Sequence, residues 1–220
     1  MPKVDYRLNA LVDARLGDKA HLADLARIAA LNGATLIQYR DKTNSTREMI
    51  EQARAIGDAL AGTGVPFVIN DRVDVALAAG ANGVHLGRDD MDAIKARSIM
   101  GDAAIIGLTV KNEEDARAAI ASSIDYACIG GVYETLSKHN PDPPVGLEGF
   151  ARLRATLLAA KPDLPVGAIA GINVQRAADV VAVGADCVAV ISTIFAALDP
   201  AAATRELRAG VDLALREASR

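Results

Sequence analysis

Residues 66–87 read PFVINDRVDVALAAGANGVHLG. Phe67, Val68 and Ile69 make a short, wholly apolar run that stops at Asn70-Asp71, the pattern of a strand buried on both faces. From Arg72 the pattern changes: Val73, Ala76 and Leu77 recur at helical spacing among Ala and charge. Gly80-Ala81 then precedes a second apolar run, GVHLG (83–87), and glycine at such a point ends a helix in a left-handed conformation without a Cβ penalty. Strand, helix and strand therefore follow one another, which requires a right-handed crossover between parallel strands.

The same unit recurs outward in both directions. Further strands are expected at YRLNALVD (6–13), ATLIQYR (34–40), AAIIGLTV (103–110), DYACIGGV (125–132), PVGAIAG (165–171) and DCVAVIS (186–192), making eight with the two already quoted. Ala-rich amphipathic runs such as STREMIEQARAIGDALAG, NEEDARAAIAS and GLEGFARLRATLLAA lie between them, with one or two further helices from about Ile194. Three helix-to-strand junctions, LNGATLIQY (31–39), AAGANGVHL (78–86) and AVGADCVAV (182–190), share the Gly-Ala pair. Eight such units close as a (β/α)8 TIM barrel, whereas open doubly wound sheets have fewer strands. No linker or low-complexity stretch divides the chain, so residues 1–220 are expected to form one domain.

Composition agrees. Of 220 residues 51% are hydrophobic and 44 are Ala, but only four Tyr and three Phe supply rings. Small side chains suit helices packed closely on a parallel sheet, and the shortage of rings argues against a base-stacking nucleic-acid binder. A net charge of −4 provides no field for a polyanion, so phosphate must be held locally. Cys128 and Cys187 sit in apolar runs without paired spacing and read as buried structural residues. The N-terminus lacks a signal-like apolar stretch, and no apolar run is long enough to span a bilayer, so a soluble cytoplasmic protein without membrane or nucleic-acid partners is expected. A homo-oligomer is compatible with this reading and not required by it.

In such a barrel the site lies at the C-terminal ends of the strands. The second strand ends QYRDK; Gln38 and Arg40 share a face, with Lys42 at the loop. If that face is inward, an amide and two cations converge; otherwise this is a surface charge run with Arg40 paired to Asp41. The third and fourth strands end in Asn70-Asp71 and in Asp89-Asp90. Carboxylates from neighbouring strand ends suit a partly hydrated Mg2+ that also takes substrate phosphate oxygens, although a lone Asp there also serves as a helix N-cap. His85 has no HxH or HExxH company and reads as an interior hydrogen-bonding residue rather than a zinc ligand. Gly171, Ile191 and Ser192, after strands seven and eight, are placed to offer backbone N–H groups to a phosphate. The long Pro-containing connection 134–146 carries Thr135, Ser137, Lys138 and His139, and is expected to be an active-site loop. These features describe a Mg2+-dependent barrel enzyme acting on small phosphorylated molecules.

The ordered set QYRDK, VINDRVDVAL, GVHLGRDD, GLTV, CIGGVYETLSK, AGI and AVIS, spanning about Leu36 to Ile194, resembles the thiamine phosphate synthase family. The resemblance implies joining of 4-amino-5-hydroxymethyl-2-methylpyrimidine diphosphate to thiazole phosphate, giving thiamine phosphate and pyrophosphate. It implies that Gln38, Arg40 and Lys42 hold the pyrimidine and its diphosphate, that Asn70 binds substrate, and that Asp71 and Asp90 bind Mg2+. It further implies that Thr109 contacts the pyrimidine region, and that Thr135, Ser137 and Lys138 bind phosphate oxygens, as do Gly171, Ile191 and Ser192 on the thiazole side. In the reaction so implied, pyrophosphate departs from a stabilised pyrimidine cation, which the thiazole nitrogen captures; Arg40 and Lys138 stabilise the leaving group, and no protein nucleophile is needed.

Departures from the family pattern are Gly131 for a proline, Glu134 for a second proline, and Ala168 and Ala170 for glycines. The loop is therefore expected to be freer, and two methyls to enter where phosphate approaches. The alternatives are a thiazole tautomerase, which would need His85 or His139 for acid–base work, and a noncatalytic phosphate-ligand-binding paralogue.

Overall fold

Each apolar run becomes a strand and each Ala-rich run a helix. The computed structural model describes residues 4–135 and 143–218. Strands β1 (Leu8–Asp13), β2 (Leu36–Arg40), β3 (Phe67–Asn70), β4 (Gly83–Leu86), β5 (Ile105–Val110), β6 (Tyr126–Gly130), β7 (Val166–Ile169) and β8 (Cys187–Val190) pair in parallel in chain order, and β8 closes on β1. Helices α1 (Lys19–Leu31), α2 (Thr46–Leu60), α3 (Val73–Ala79), α4 (Ala93–Met100), α5 (Glu113–Ala121), α6 (Gly146–Ala160) and α7 (Val174–Ala182) fill the crossovers, and α8 (Ser192–Phe195) and α9 (Pro200–Ala218) follow β8. Helix starts carry side-chain caps where the sequence allows: Asp18, Asp92, Asn112 and Asn173 accept backbone N–H groups, and Ser45 with Glu48 forms a capping box. Among the described residues no helix is long and apolar enough to cross a membrane.

The repeated Gly-Ala junction sets the register. The N–H of Ala34, Ala81 and Ala185 donates in each case to the carbonyl five residues back, on Ala29, Ala76 and Val180, at 2.9–3.0 Å. Gly80 between them has φ 70°, where other residues are strained. The next residue then grips the strand before it. Asn82 donates its N–H to Phe67 O at 2.8 Å and accepts the Phe67 N–H on Oδ1 at 2.8 Å; Asp186 does the same for Val166, and Thr35 for Leu8. Asp125 clamps Ile106 likewise. With the N-terminal ends pinned, the C-terminal ends come level at the opposite rim.

Side-chain parity then decides what faces the barrel axis. Leu36, Val68, Ile105 and Tyr126 form one buried cluster although their strands are mostly not neighbours, and Leu11, Cys128 and Ala189 form another. Only the barrel interior brings these together. By period-2 alternation Asn9, Asp13, Gln38, Arg40 and Asn70 also point inward. The other parity, including Val12, Ile37, Tyr39, Ile69 and Ala168, packs against the helices in the main core. Both cysteines are buried, as expected. Gly107 makes room inside: a Cβ there would lie 2.2 Å from the Tyr126 ring and 2.5 Å from His85 Nδ1.

Candidate active site

At the C-terminal rim β3 ends in an unusual backbone. Asp71 has φ 65°, a left-handed conformation that Asp tolerates better than most residues but that is uncommon outside glycine. The turn aims its carboxylate inward. Asn70 Nδ2 donates to Asp71 Oδ2 at 2.6 Å, and the Lys42 ammonium forms an ion pair with the same oxygen. Asp90, in the loop after β4, accepts the Gly87 N–H at 2.7 Å and lies within hydrogen-bonding reach of Asp71. Burial first, and then the facing Asp71 carboxylate, push its carboxyl up to about 6. Neither residue is a helix cap; those positions fall to Arg72 and Asp92. Two half-buried carboxylates thus face each other across neighbouring strand ends. Arg88, paired with buried Asp115 at 2.8 Å, fastens the loop that carries Asp90.

Arg40 does not pair with Asp41. Its Nη1 donates to Asp13 Oδ2 at 2.6 Å, and Asp13, at the end of β1, also takes Arg15 Nε at 2.8 Å. Burial opposes charge on Asp13, but the hydrogen bonds from Arg15 and Arg40 outweigh it and hold the carboxyl below its ordinary range. Asp41 is occupied elsewhere, accepting from the Thr43 and Asn44 N–H groups and from the Tyr39 hydroxyl. The surface-run alternative for QYRDK therefore fails at Gln38 and Arg40, which line the barrel mouth, and at Asp41, which is buried; only Lys42 is exposed, and it pairs with Asp71. Gln38 is 1% exposed, and its Oε1 has no hydrogen-bond partner among the described residues.

His85 sits inside the barrel, Nδ1 2.9 Å from the Tyr126 hydroxyl and Nε2 2.9 Å from Thr109 Oγ1. Tyr126 stacks on Tyr6 at 4.7 Å. His85 is therefore the interior hydrogen-bonding residue expected, and through it the Thr109 hydroxyl is held at the rim.

Across the mouth, a cavity of about 240 Å³ is lined by Gly131, Thr135, Ala170, Gly171, Ile191 and Ser192, among others. Its walls are three loops stitched together. Val132 and Tyr133 donate N–H groups to Ile169 O and Ala170 O, Arg176 Nη1 donates to Gly171 O at 2.8 Å, and Thr193 donates its hydroxyl to Ile172 O. The Arg176 guanidinium also lies over the Tyr133 ring, 4.5 Å from its centroid. Gly171 is required where it stands: its φ is 66°, and a Cβ would meet Glu134 O at 2.4 Å. A larger hollow of about 760 Å³ lies at the N-terminal rim beside Tyr6 and Asp125, the end of such barrels that serves stability.

Two expectations about the departures change. Gly131 is not simply freer; its φ of 71° is one a proline, fixed near −65°, cannot adopt. Ala168 faces the helices, fully buried, so its methyl points away from the cavity. Ala170 lines the cavity and has φ 90°, a glycine-like backbone carrying a methyl. Ser137, Lys138 and His139 lie outside the described residues. The ends of their connection meet, Val145 N–H donating to Gly131 O at 2.8 Å and Gly146 N–H to Val132 O at 3.1 Å. Asp13, Arg176 and Thr193 belong to the rim and were not singled out from sequence; of these only Asp13, a polar residue ending an apolar run, carried a usable signal. Among the described residues no group of three or more His, Cys, Asp or Glu is placed to hold a metal.

A family model described as thiamine monophosphate synthase matches residues 8–194. The thiamine-phosphate synthase of Agrobacterium fabrum is 66% identical over 98% of both chains, and that of Chloroflexus aurantiacus 41% identical over 98% of this chain and 97% of its own. A solved structure of thiamine phosphate pyrophosphorylase from Pyrococcus furiosus superposes with a TM-score of 0.84 at 36% identity, covering 97% of this chain and 98% of that one. A 3-hexulose-6-phosphate synthase, 20% identical with a TM-score of 0.63, shares the barrel alone. With the matched residues running from the first strand into α8, the chain belongs to the thiamine monophosphate synthase family.

Proposed function

We propose that this enzyme joins 4-amino-5-hydroxymethyl-2-methylpyrimidine diphosphate to thiazole phosphate, forming thiamine phosphate and releasing pyrophosphate. The observation that carries the reading is the division of one rim into two halves: cations and facing carboxylates on β1–β4, and a phosphate-sized cavity on β6–β8. The first half suits a diphosphate with Mg2+, the second a monophosphate.

Asp71 and Asp90 fit a divalent cation by their chemistry. Two oxygen donors face each other with the Lys42 ammonium beside them, and Mg2+ favours one or two carboxylates plus substrate phosphate oxygens. Mg2+ bound there would neutralise charge on the diphosphate. Arg40, held in position by Asp13, and Lys42 add fixed positive charge for the same group, and Lys138 is assigned the same task from the connection 134–146. The C–O bond to the exocyclic methylene breaks with its electron pair leaving on the diphosphate. The lone pair of the thiazole nitrogen then forms the new C–N bond. Gln38 and Thr109 orient the pyrimidine, Asn70 holds Asp71 and meets substrate, and Thr135, Ser137, Gly171, Ile191 and Ser192 fix the thiazole phosphate. The protein's work is positioning and electrostatic stabilisation, with no covalent intermediate on a side chain.

Both ring nitrogens of His85 are engaged, which disfavours the tautomerase reading through that residue. The test is pyrophosphate release with both substrates, with and without EDTA. Metal-dependent release supports the proposal; binding without release would make the chain a phosphate-ligand binder, and no metal-dependent release would overturn the reaction.

A further inference from the structure

Asn9 is 2% exposed inside the barrel, and among the described residues neither its Oδ1 nor its Nδ2 has a hydrogen-bond partner. Gln38 Oε1 is in the same position. Three unsatisfied polar atoms so close together are exceptional, because buried polar groups are almost always bonded to protein or ordered water. The two side chains are near neighbours. Asn9 pairs in register with Leu36, and Leu11 with Gln38, so Asn9 and Gln38 stand one strand and two residues apart on the same inward face. Strand spacing and rise put their Cα atoms roughly 8 Å apart, a span that two carboxamides bridge with one water between them. Such a water would have three polar partners, the number buried waters usually have.

We infer that Asn9 is a positioning residue for Gln38: through a buried water it holds the Gln38 carboxamide with Oε1 turned into the barrel and Nε2 turned towards the heterocycle. A water that donates to Oε1 commits the other end of the amide as a donor. That donor matches a ring nitrogen beside an exocyclic amine, which is an acceptor, and mismatches the N–H of the corresponding 4-oxo ring. Asn9, which itself never meets substrate, thus sets the preference for aminopyrimidine over oxopyrimidine. The inference rests on the assignment of Gln38 to the pyrimidine.

The test compares Asn9→Leu and Asn9→Ser with the wild type by calorimetry, using the aminopyrimidine diphosphate and its 4-oxo analogue. Asn9→Leu should reduce the ratio of the two Kd values about tenfold, the loss of one neutral hydrogen bond, and leave the Kd of thiazole phosphate within about twofold. Asn9→Ser, which keeps a hydroxyl for the water, should restore part of the ratio. A merely structural Asn9 would lower the melting temperature and leave the ratio unchanged, and that result overturns the inference. Gln38→Leu separates the two levels: if it changes the ratio while a folded Asn9→Leu does not, only the role of Asn9 fails; if it too changes nothing, the pyrimidine assignment of Gln38 fails. If Asn9→Leu does not fold, the wild type decides. Cross-peaks between the Asn9 side-chain amide and a long-lived bound water are expected in 15N-edited spectra, and their absence overturns the inference.

Discussion

Arg40 and Asp13 form a 2.6 Å ion pair between the C-terminal ends of β2 and β1, and Asp13, almost fully buried, is shared with Arg15. The pair points the guanidinium across the mouth instead of into solvent. Asp13→Asn keeps the shape but removes the carboxylate charge that Arg40 and Arg15 share. Stability should fall by about 2–3 kcal/mol, or roughly 4–12 °C in Tm for a chain of this size, and kcat/KM for the diphosphate substrate by about 10–100-fold.

The pH dependence of that loss follows from the depressed Asp13 carboxyl. Because its folded value lies below the ordinary 3.8, the stabilisation is fully present above 3.8 and disappears as pH falls through the lower folded value. Urea midpoints of wild type and Asp13→Asn should differ by a constant amount from about pH 5 to 8 and converge below 3.8. A gap that widened on acidification would sink the assignment.

Much of this was legible in the chain, and the limits are physical. The strand–helix period and the Gly-Ala junctions are local, so β1 to β8 emerge from spacing alone. The clamps by Thr35, Asn82 and Asp186 lie one residue beyond those junctions, Asp125 follows Ser123-Ile124 instead, and all four read there as ordinary loop polarity. Gln38 and Arg40 share a face by alternation, but which face is inward depends on closure of the whole barrel. Parity alone would put Ala168 and Ala170 on one face; they part because β7 ends at Ile169 and Ala170 turns to φ 90°, so two methyls that look equivalent in sequence go different ways. Arg176 and Thr193 were invisible because their partners are backbone carbonyls of other loops.

Arg176 joins the loops after β6 and β7 by one hydrogen bond to Gly171 O and by stacking on Tyr133. Removing it should loosen the cavity without touching the diphosphate half. For Arg176→Ala, KM for thiazole phosphate should rise about tenfold, consistent with a lost charged hydrogen bond and a cation–π contact, while KM for the pyrimidine diphosphate stays within about twofold. Arg176→Lys keeps the charge but not the planar fork and should recover only part. Equal increases in both KM values would count against this division of the rim.

Ala170 has φ 90°, a conformation costing a non-glycine residue about 1–2 kcal/mol, against which glycine loses about 0.5–1 kcal/mol of unfolded-state entropy. Ala170→Gly should therefore stabilise the protein by about 0.5–1 kcal/mol, raising Tm by roughly 1–4 °C. Ala168→Gly, at a packed helix-facing position, should destabilise it. Paired thermal melts decide; the same sign for both would contradict the contrast between a packed strand residue and a left-handed turn residue.

The facing carboxylates of Asp71 and Asp90 give the last prediction. Without a divalent cation they repel, and the Lys42 ammonium offsets only part of that repulsion. Asp90→Asn keeps an acceptor for the Gly87 N–H and removes one charge, so in EDTA at pH 7.5 the variant should be more stable than wild type by about 1 kcal/mol, a modest figure because the site is half open to solvent. Added Mg2+ should reverse the order, raising the urea midpoint of the wild type and leaving Asp90→Asn unmoved. The same variant should lose metal-dependent pyrophosphate release by at least about 100-fold, since an unpaired departing diphosphate forfeits several kcal/mol of electrostatic stabilisation. A variant less stable than wild type in EDTA would show that the two carboxylates are held by bonds to the protein rather than spaced for a cation.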